Sequence, residues 1–262
     1  MIFITVATHI EGYLNVLIES LKMYNIQLKI LGLGTTWEGF QTKIVLMSDY
    51  VNTLNDDEIV IFMDAYDVIF LHPEDLEKNF KSFNKKIVFG EDLKVPFYFK
   101  YAYNKVFPKC IINKKKYRIN SGLYMGYVKY IKELLNILCK KNNCKRNLDD
   151  QRIINKSCKT DFFSKYVGVD SEHKIFYNLA LYESPIQLTN NKLIVNNNKP
   201  NFVHGPNNKN MNYITKAYGL SNTIHKKRTF YVLNAIKIYY IYFMPELIIF
   251  LLIIFLLIKK SK

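Results

Sequence analysis

Apolar residues dominate a first run at 2–7 (IFITVA, with Thr5 its one polar residue), then fall at Leu14, Leu17, Ile18 and Leu21, then dominate a second run over 28–33, interrupted by Lys29 and Gly32. A short continuous apolar run is how a strand buried on both faces reads, and the three-and-four spacing is one face of a helix. The order predicts strand, helix, strand, with the Gly32-Leu33-Gly34 loop closing the second strand. A helix over 43–54 and a third strand over 59–63 follow. Further on, Asn120-Ser121-Gly122 reads as a polar turn before a strand over 123–127. Asp149 and Asp150 precede Gln151 at a helix start, where carboxylates cap exposed N–H groups. Alternating strands and helices predict an α/β protein, its mostly parallel central sheet covered on both faces.

The pattern changes near the carboxyl end. Residues 238–258 carry one charge, Glu246, and 247–258 (LIIFLLIIFLLI) carry none. About 20 apolar residues suffice for a helix to cross the hydrocarbon core, so a transmembrane helix is predicted there. Lys226, Lys227 and Arg228 ahead of it and Lys259, Lys260 and Lys262 behind it suit headgroups, and Tyr239, Tyr240 and Tyr242 suit the interface. Pro245 and Glu246 leave a hairpin or surface helix as the alternative. The expected division is a globular domain over 1–225, a basic juxtamembrane segment over 226–237, a span over 238–258 and a basic tail over 259–262. This describes a single-pass membrane protein anchored at its carboxyl end. The opening MIFITVATHI reads as a strand, not a signal peptide, which suits a tail-anchored protein with a cytosolic domain. The closing KKSK resembles the dilysine retrieval signal of the endoplasmic reticulum, which demands a lumenal domain. The clues oppose each other on the side of the membrane, and the endoplasmic reticulum is the expected location.

Composition narrows the partners. In 262 residues, 37 Lys and Arg stand against 22 Asp and Glu, a net charge of +15. The 49% apolar content excludes a disordered chain. The lysines are scattered and no zinc-finger, basic-helix or RNA-recognition signature accompanies them, so no nucleic-acid partner is expected. A solvated surface is the plain role of the charge, and attraction to anionic lipid or an acidic substrate the other. Cys110, Cys139, Cys144 and Cys158 lack CxxC spacing; they allow three pairings in an oxidising compartment, or buried free thiols.

Asp64 and Asp67 follow the apolar strand IVIFM directly. In an open α/β sheet ligands gather at the carboxyl ends of strands. Two carboxylates converging in a tight turn repel each other unless a cation lies between them, and hard oxygen ligands favour Mg²⁺ or Mn²⁺. Asp is also a common turn former, and the spacing alone leaves both readings open.

The segment IVIFMDAYDVIF resembles the DxxD segment of the glycosyltransferase domain of the procollagen lysyl hydroxylases and related collagen glycosyltransferases. FITVATHIEGYLNVLIESLKMYN is similar to that domain's opening strand and helix, and LGLGTTWEGFQTKIVLM to its LGxGxxW segment and the helix after it. YRINSGLYMGY resembles its YLNSGGFIGY block, LDDQRII its DDDQ block and FVHGPNNKN its HGNGPTK block. The blocks keep the family's order over roughly residues 2 to 215.

The resemblance implies a GT-A type, Rossmann-like nucleotide-sugar fold, with Mn²⁺ or Mg²⁺ holding the diphosphate of UDP-glucose or UDP-galactose. It implies Asp64, Asp67 and His204 as metal ligands. Trp37 and Tyr66 are expected at the uracil or ribose, and Lys43 at polar groups of the nucleotide. Asn120, Ser121 and Gly122 are expected at the sugar, and Gly205 and Lys209 at the phosphates. Asp149 and Asp150 are expected beside the donor sugar, to orient it or to deprotonate the acceptor. The implied acceptor is a hydroxyl of a protein or glycan, hydroxylysine or galactosyl-hydroxylysine of a collagen-like protein. The chain departs from the pattern in its His204-Gly205-Pro206 block, one residue shorter, and in a trimmed loop after Trp37. Hydroxylase chemistry is not expected, because the iron- and 2-oxoglutarate-dependent domain has no counterpart here. Two other readings are a catalytically inactive scaffold of the same fold and a membrane-tethered basic binder of nucleic acid or lipid.

Overall fold

The computed structural model describes residues 1–92, 104, 107–112, 114–142, 149–179, 187–190, 192–206 and 209–222. The chain opens with β1 (Ile2–Val6), α1 (Leu14–Lys22), β2 (Leu28–Leu31), α2 (Gln41–Val51) and β3 (Ile59–Met63). These are the five elements its hydrophobic pattern predicts. β1 pairs in parallel with both β2 and β3, and α1 buries Leu14, Leu17 and Leu21. β2 stops short of the expected end because the chain turns at Gly32, whose φ is +84.

Then come β4 (Val68–Phe70), α3 (Leu76–Ser82), β5 (Ile87–Glu91), β6 (Cys110–Ile112), β7 (Lys115–Tyr117), β8 (Ile119–Tyr127) and α4 (Val128–Asn142). The described residues continue through α5 (Asp150–Ser157), α6 (Asp161–Tyr166), β9 (Val167–Asp170), β10 (Phe176–Asn178), β11 (Gln187–Thr189), β12 (Lys192–Ile194), β13 (Phe202–His204) and α7 (Asn212–Ala217). The central sheet has six strands in the order β2-β1-β3-β8-β5-β9. β8 runs antiparallel to β3 and β5, while the other pairings are parallel. The sheet is therefore mixed, and the mostly parallel expectation fails at β8. β8 also takes in Asn120, Ser121 and Gly122, read from the sequence as a turn. Polar residues at the site-facing tip of a buried strand carry the composition of a turn, which is why the pattern misleads there.

Alternation along the strands sorts the core into two layers. Ile4, Val60 and Phe62 pack with α2, α4 and α5 through Ile44, Met47, Leu134 and Ile154. Phe3, Ile61 and Met63 pack the other way, against Leu17 and Leu21 of α1 and Phe80 of α3. Each such side chain contributes about 1.5–3 kcal/mol by leaving water. A second sheet, β10-β13-β4, adds Phe70, Phe176 and Phe202 to the latter layer. Cys110 and Cys158 form a disulfide between β6 and the residue after α5, and Cys139 is also disulfide-bonded. The expected span at 238–258 and its basic flanks lie outside the described residues. Among the described residues no helix is long and apolar enough to cross a membrane.

Candidate active site

β3 delivers Asp64 directly to the rim of the sheet, where its backbone N–H donates to the Gly122 carbonyl at 2.8 Å and ties the turn to β8. β4 follows Asp67 and pairs antiparallel with β13, Val68 lying opposite His204. The Gly205 N–H donates to the Asp67 carbonyl at 2.8 Å. Strand pairing thus carries a histidine from far along the chain to the acidic turn. One donor atom from each of Asp64, Asp67 and His204 lies within 4.8 Å of the others. β8 passes directly against the cluster at Gly122, where a Cβ would sit 2.6 Å from Asp64 Oδ2 and 2.7 Å from His204 Cε1. Only glycine fits there, so Gly122 makes room for the cluster.

His204 is 2% exposed. Its Nδ1 is 2.8 Å from Asn178 Oδ1. Its Nε2 faces Asp67 Oδ1 at 3.2 Å, the distance of a weak ion pair, but without the angles of a hydrogen bond. Burial lowers the imidazole's basicity; Asp67, with Asp64 behind it, outweighs burial and raises it above the ordinary value. An unsatisfied ring nitrogen in the interior is costly. Two carboxylates and a buried imidazole nitrogen facing one point are a donor set for a divalent cation of the Mg²⁺ or Mn²⁺ type, so the residues fit such an ion.

A second pair of carboxylates is joined to this cluster through Lys43. Its Nζ, on α2, is 2.7 Å from Asp64 Oδ1 and 2.7 Å from Asp150 Oδ2. Burial works against the ammonium, but Asp150 and Asp64 outweigh it and hold the pKa above the usual lysine value. Lys43, expected at the nucleotide, thus bridges Asp64 to α5. Asp149 caps α5, its Oδ1 accepting from the Arg152 N–H at 2.9 Å. Burial, then the charge of Asp150, push the Asp149 carboxyl up to about 6. Asn120 and Ser121 are buried beside them. The Asn120 Nδ2 donates to Gln151 Oε1 at 3.4 Å, and its Oδ1 accepts from the Gly122 N–H at 2.9 Å.

The remaining predicted residues stand on surrounding loops. Trp37 is 42% exposed and meets Phe40 edge to face at 6.1 Å; the Phe40 ring is 5.7 Å from Lys43 Nζ. The Tyr66 hydroxyl accepts from the Thr8 N–H at 3.2 Å, and its ring lies 5.3 Å from that of His9. Gly205 packs on Met211, whose Sδ would be 2.7 Å from an added Cβ. The Lys209 N–H donates to the Gly205 carbonyl at 3.1 Å, keeping that lysine one turn beyond His204. Asn178 carries no signal that sequence reasoning could use; it is recognised only through strand register.

The sequence matches the family described as PLOD GT domain over residues 1–228. A Caenorhabditis elegans multifunctional procollagen lysine hydroxylase and glycosyltransferase is 30% identical over 84% of this chain and 32% of its own length. A human procollagen-lysine,2-oxoglutarate 5-dioxygenase 2 is 30% identical over 73% of this chain and 27% of its own. The chain thus spans about a third of the length of the curated relatives it matches. Among solved structures, an active-site mutant of LgtC superposes with a TM-score of 0.48 at 11% identity, over 86% of this chain and 98% of that one.

Proposed function

The chain belongs to the PLOD GT domain family of glycosyltransferases, and on that premise we propose a metal-dependent enzyme of GT-A type that moves glucose or galactose from a UDP-sugar to a hydroxyl acceptor. The acceptor is a hydroxylysine or galactosyl-hydroxylysine of a collagen-like protein, a reading supported by the procollagen-modifying relatives. The convergence of Asp64, Asp67 and His204 carries the proposal. These three residues would hold Mn²⁺ or Mg²⁺, which supplies a Lewis acid for the negative charge gathering on the departing diphosphate.

The chain's own residues then divide the work. Lys43 fixes Asp64 against Asp150 and keeps a cation beside the acidic cluster. Because Asp150 is engaged by Lys43, the base role falls to Asp149. A carboxyl raised to about 6 is ionised yet still basic near neutrality, which suits it to take the acceptor proton. Asn120 and Ser121 orient sugar hydroxyls, Trp37 and Tyr66 flank the base, and Gly205 with Lys209 follow His204 toward the phosphates. Residues 238–258 tether the domain to a membrane. The Cys110–Cys158 disulfide supports an oxidising compartment, the lumenal side of the endoplasmic reticulum, over the cytosol.

The test is UDP release from UDP-hexoses with Mn²⁺, using collagen peptides as acceptors. Asp64→Ala is expected to abolish it, and an unchanged rate in that variant removes the metal-site reading. Metal-dependent UDP binding without turnover in the wild type would instead assign the fold to a binding role.

A further inference from the structure

Asn178 ends β10, His204 ends β13, and the two are register partners in the parallel pairing of these strands. The register sets the amide beside the imidazole, with Oδ1 2.8 Å from His204 Nδ1. The amide's orientation is fixed from its other end, where Nδ2 donates to the Glu91 carbonyl at 2.6 Å. A carbonyl cannot donate, so the flipped amide would set two oxygens against each other. Asn178 Oδ1 therefore accepts, and His204 Nδ1 carries the hydrogen. In a neutral ring the lone pair is then on Nε2, the atom that faces Asp67. Room for the amide comes from Gly90, where a Cβ would stand 3.0 Å from Asn178 Nδ2 and 3.2 Å from the Phe176 Cβ. Asn178 and His204 are 6% and 2% exposed, so a lost amide leaves a buried N–H without its acceptor.

From this geometry we infer that Asn178 is the positioning residue of the site: it locks His204 in the tautomer that presents the Nε2 lone pair to the cation. The Glu91 carbonyl and the bare Gly90 hold the amide in turn. The inference rests on the reading of Asp64, Asp67 and His204 as a divalent-cation site. Loss of such a partner of a ligating histidine typically weakens metal affinity about 10–100-fold.

Two measurements on the full chain test it. Nitrogen-15 NMR of the metal-free protein, in alkaline buffer where imidazole is neutral, reads the tautomer of His204. Titration with Mn²⁺ followed by electron paramagnetic resonance reads the affinity. Wild type is expected to carry its hydrogen on Nδ1. Asn178→Leu, close in size but without an acceptor, is expected to populate the Nε2–H form and to bind Mn²⁺ about 10–100-fold more weakly. Asn178→Asp keeps an acceptor at Nδ1 but loses the donor to the Glu91 carbonyl, so it is expected to retain the tautomer with a Mn²⁺ affinity between those of wild type and Asn178→Leu. An Nε2–H form in the wild type overturns the inference, as does a folded Asn178→Leu protein with unchanged tautomer and Mn²⁺ affinity. If Asn178→Leu does not fold, Asn178→Asp decides, an Nε2–H form there counting against the inference. A wild type that binds no Mn²⁺ defeats the metal reading alone, and the tautomer still decides the role of Asn178.

Discussion

Asp149 answers two demands that pull its carboxyl in opposite directions. As the cap of α5 it accepts the Arg152 N–H, which favours the charged form. Burial and the neighbouring Asp150 disfavour that form and win, leaving the group at about 6. An unfolded Asp titrates near 3.9, so between these values the folded chain binds the proton more tightly than the unfolded one. The contribution to stability is therefore greatest below about pH 4, falls as pH rises toward about 6 and stays low above. Asn at this position keeps a good cap without the charge. Asp149→Asn is expected to be more stable than wild type near pH 7.5 by on the order of 2 kcal/mol, with little difference near pH 4. Thermal melts at the two pH values check this, and equal melting curves near neutrality would show that the ionised carboxyl is not penalised. The same variant is expected to lose most of the transferase rate, since an amide cannot take the acceptor's proton. At this scale the acidic turn became readable only through the resemblance of the blocks around it, because Asp is also a common turn former and the spacing alone leaves both readings open. Asn178 was not readable, because nothing in the neighbourhood of a single asparagine tells which strand it will lie against.

Among the elements, the first five were legible because burial on both faces and amphipathic spacing leave a clear period. The reversal of β8 was not, since an apolar strand reads the same in either direction. That reversal matters for function: running antiparallel to β3, β8 sets Gly122 beside Asp64 and His204. The pairing of β4 with β13 is equally invisible in three-residue strands, yet it brings His204 to Asp67. Gly122→Ala tests whether this approach of strand to turn builds the site. The added methyl would stand 2.6 Å from Asp64 Oδ2, well inside van der Waals contact, so carboxylate and imidazole must separate. The expected result is at least a tenfold loss of Mn²⁺ affinity, with destabilisation of about 1–3 kcal/mol, the usual cost of overpacking. Calorimetric Mn²⁺ titration and chemical denaturation read the two effects. Undiminished affinity would mean that β8 can yield without disturbing the ligands.

For the whole molecule, the arguments for a lumenal, membrane-tethered enzyme come from opposite ends of the chain's chemistry. A bridge between Cys110 and Cys158, 48 positions apart, withdraws about 4 kcal/mol of loop-closure entropy from the unfolded chain, and such bridges persist where the surroundings are oxidising. The proposed span of 21 residues, 238–258, reaches about 31 Å as a helix, against a hydrocarbon core of about 30 Å. The length is just sufficient, so an anchor formed there would be sensitive to charge. A lysine at the centre of a span costs about 2.5–3.5 kcal/mol, and the apolar run offers no partner for it. Leu251→Lys combined with Ile254→Lys in the full chain is therefore expected to move the protein from the carbonate-resistant membrane pellet to the supernatant. The wild type is expected to stay in the pellet, its domain protected from added protease in sealed microsomes, with Cys110 unreactive toward maleimide until reductant is added. Digestion of the domain without detergent would set it on the cytosolic side. Retention of the doubly charged variant in the pellet would mean that something other than the apolar run holds the protein there, with the basic excess of the domain itself, acting on anionic headgroups, as the force left to account for it.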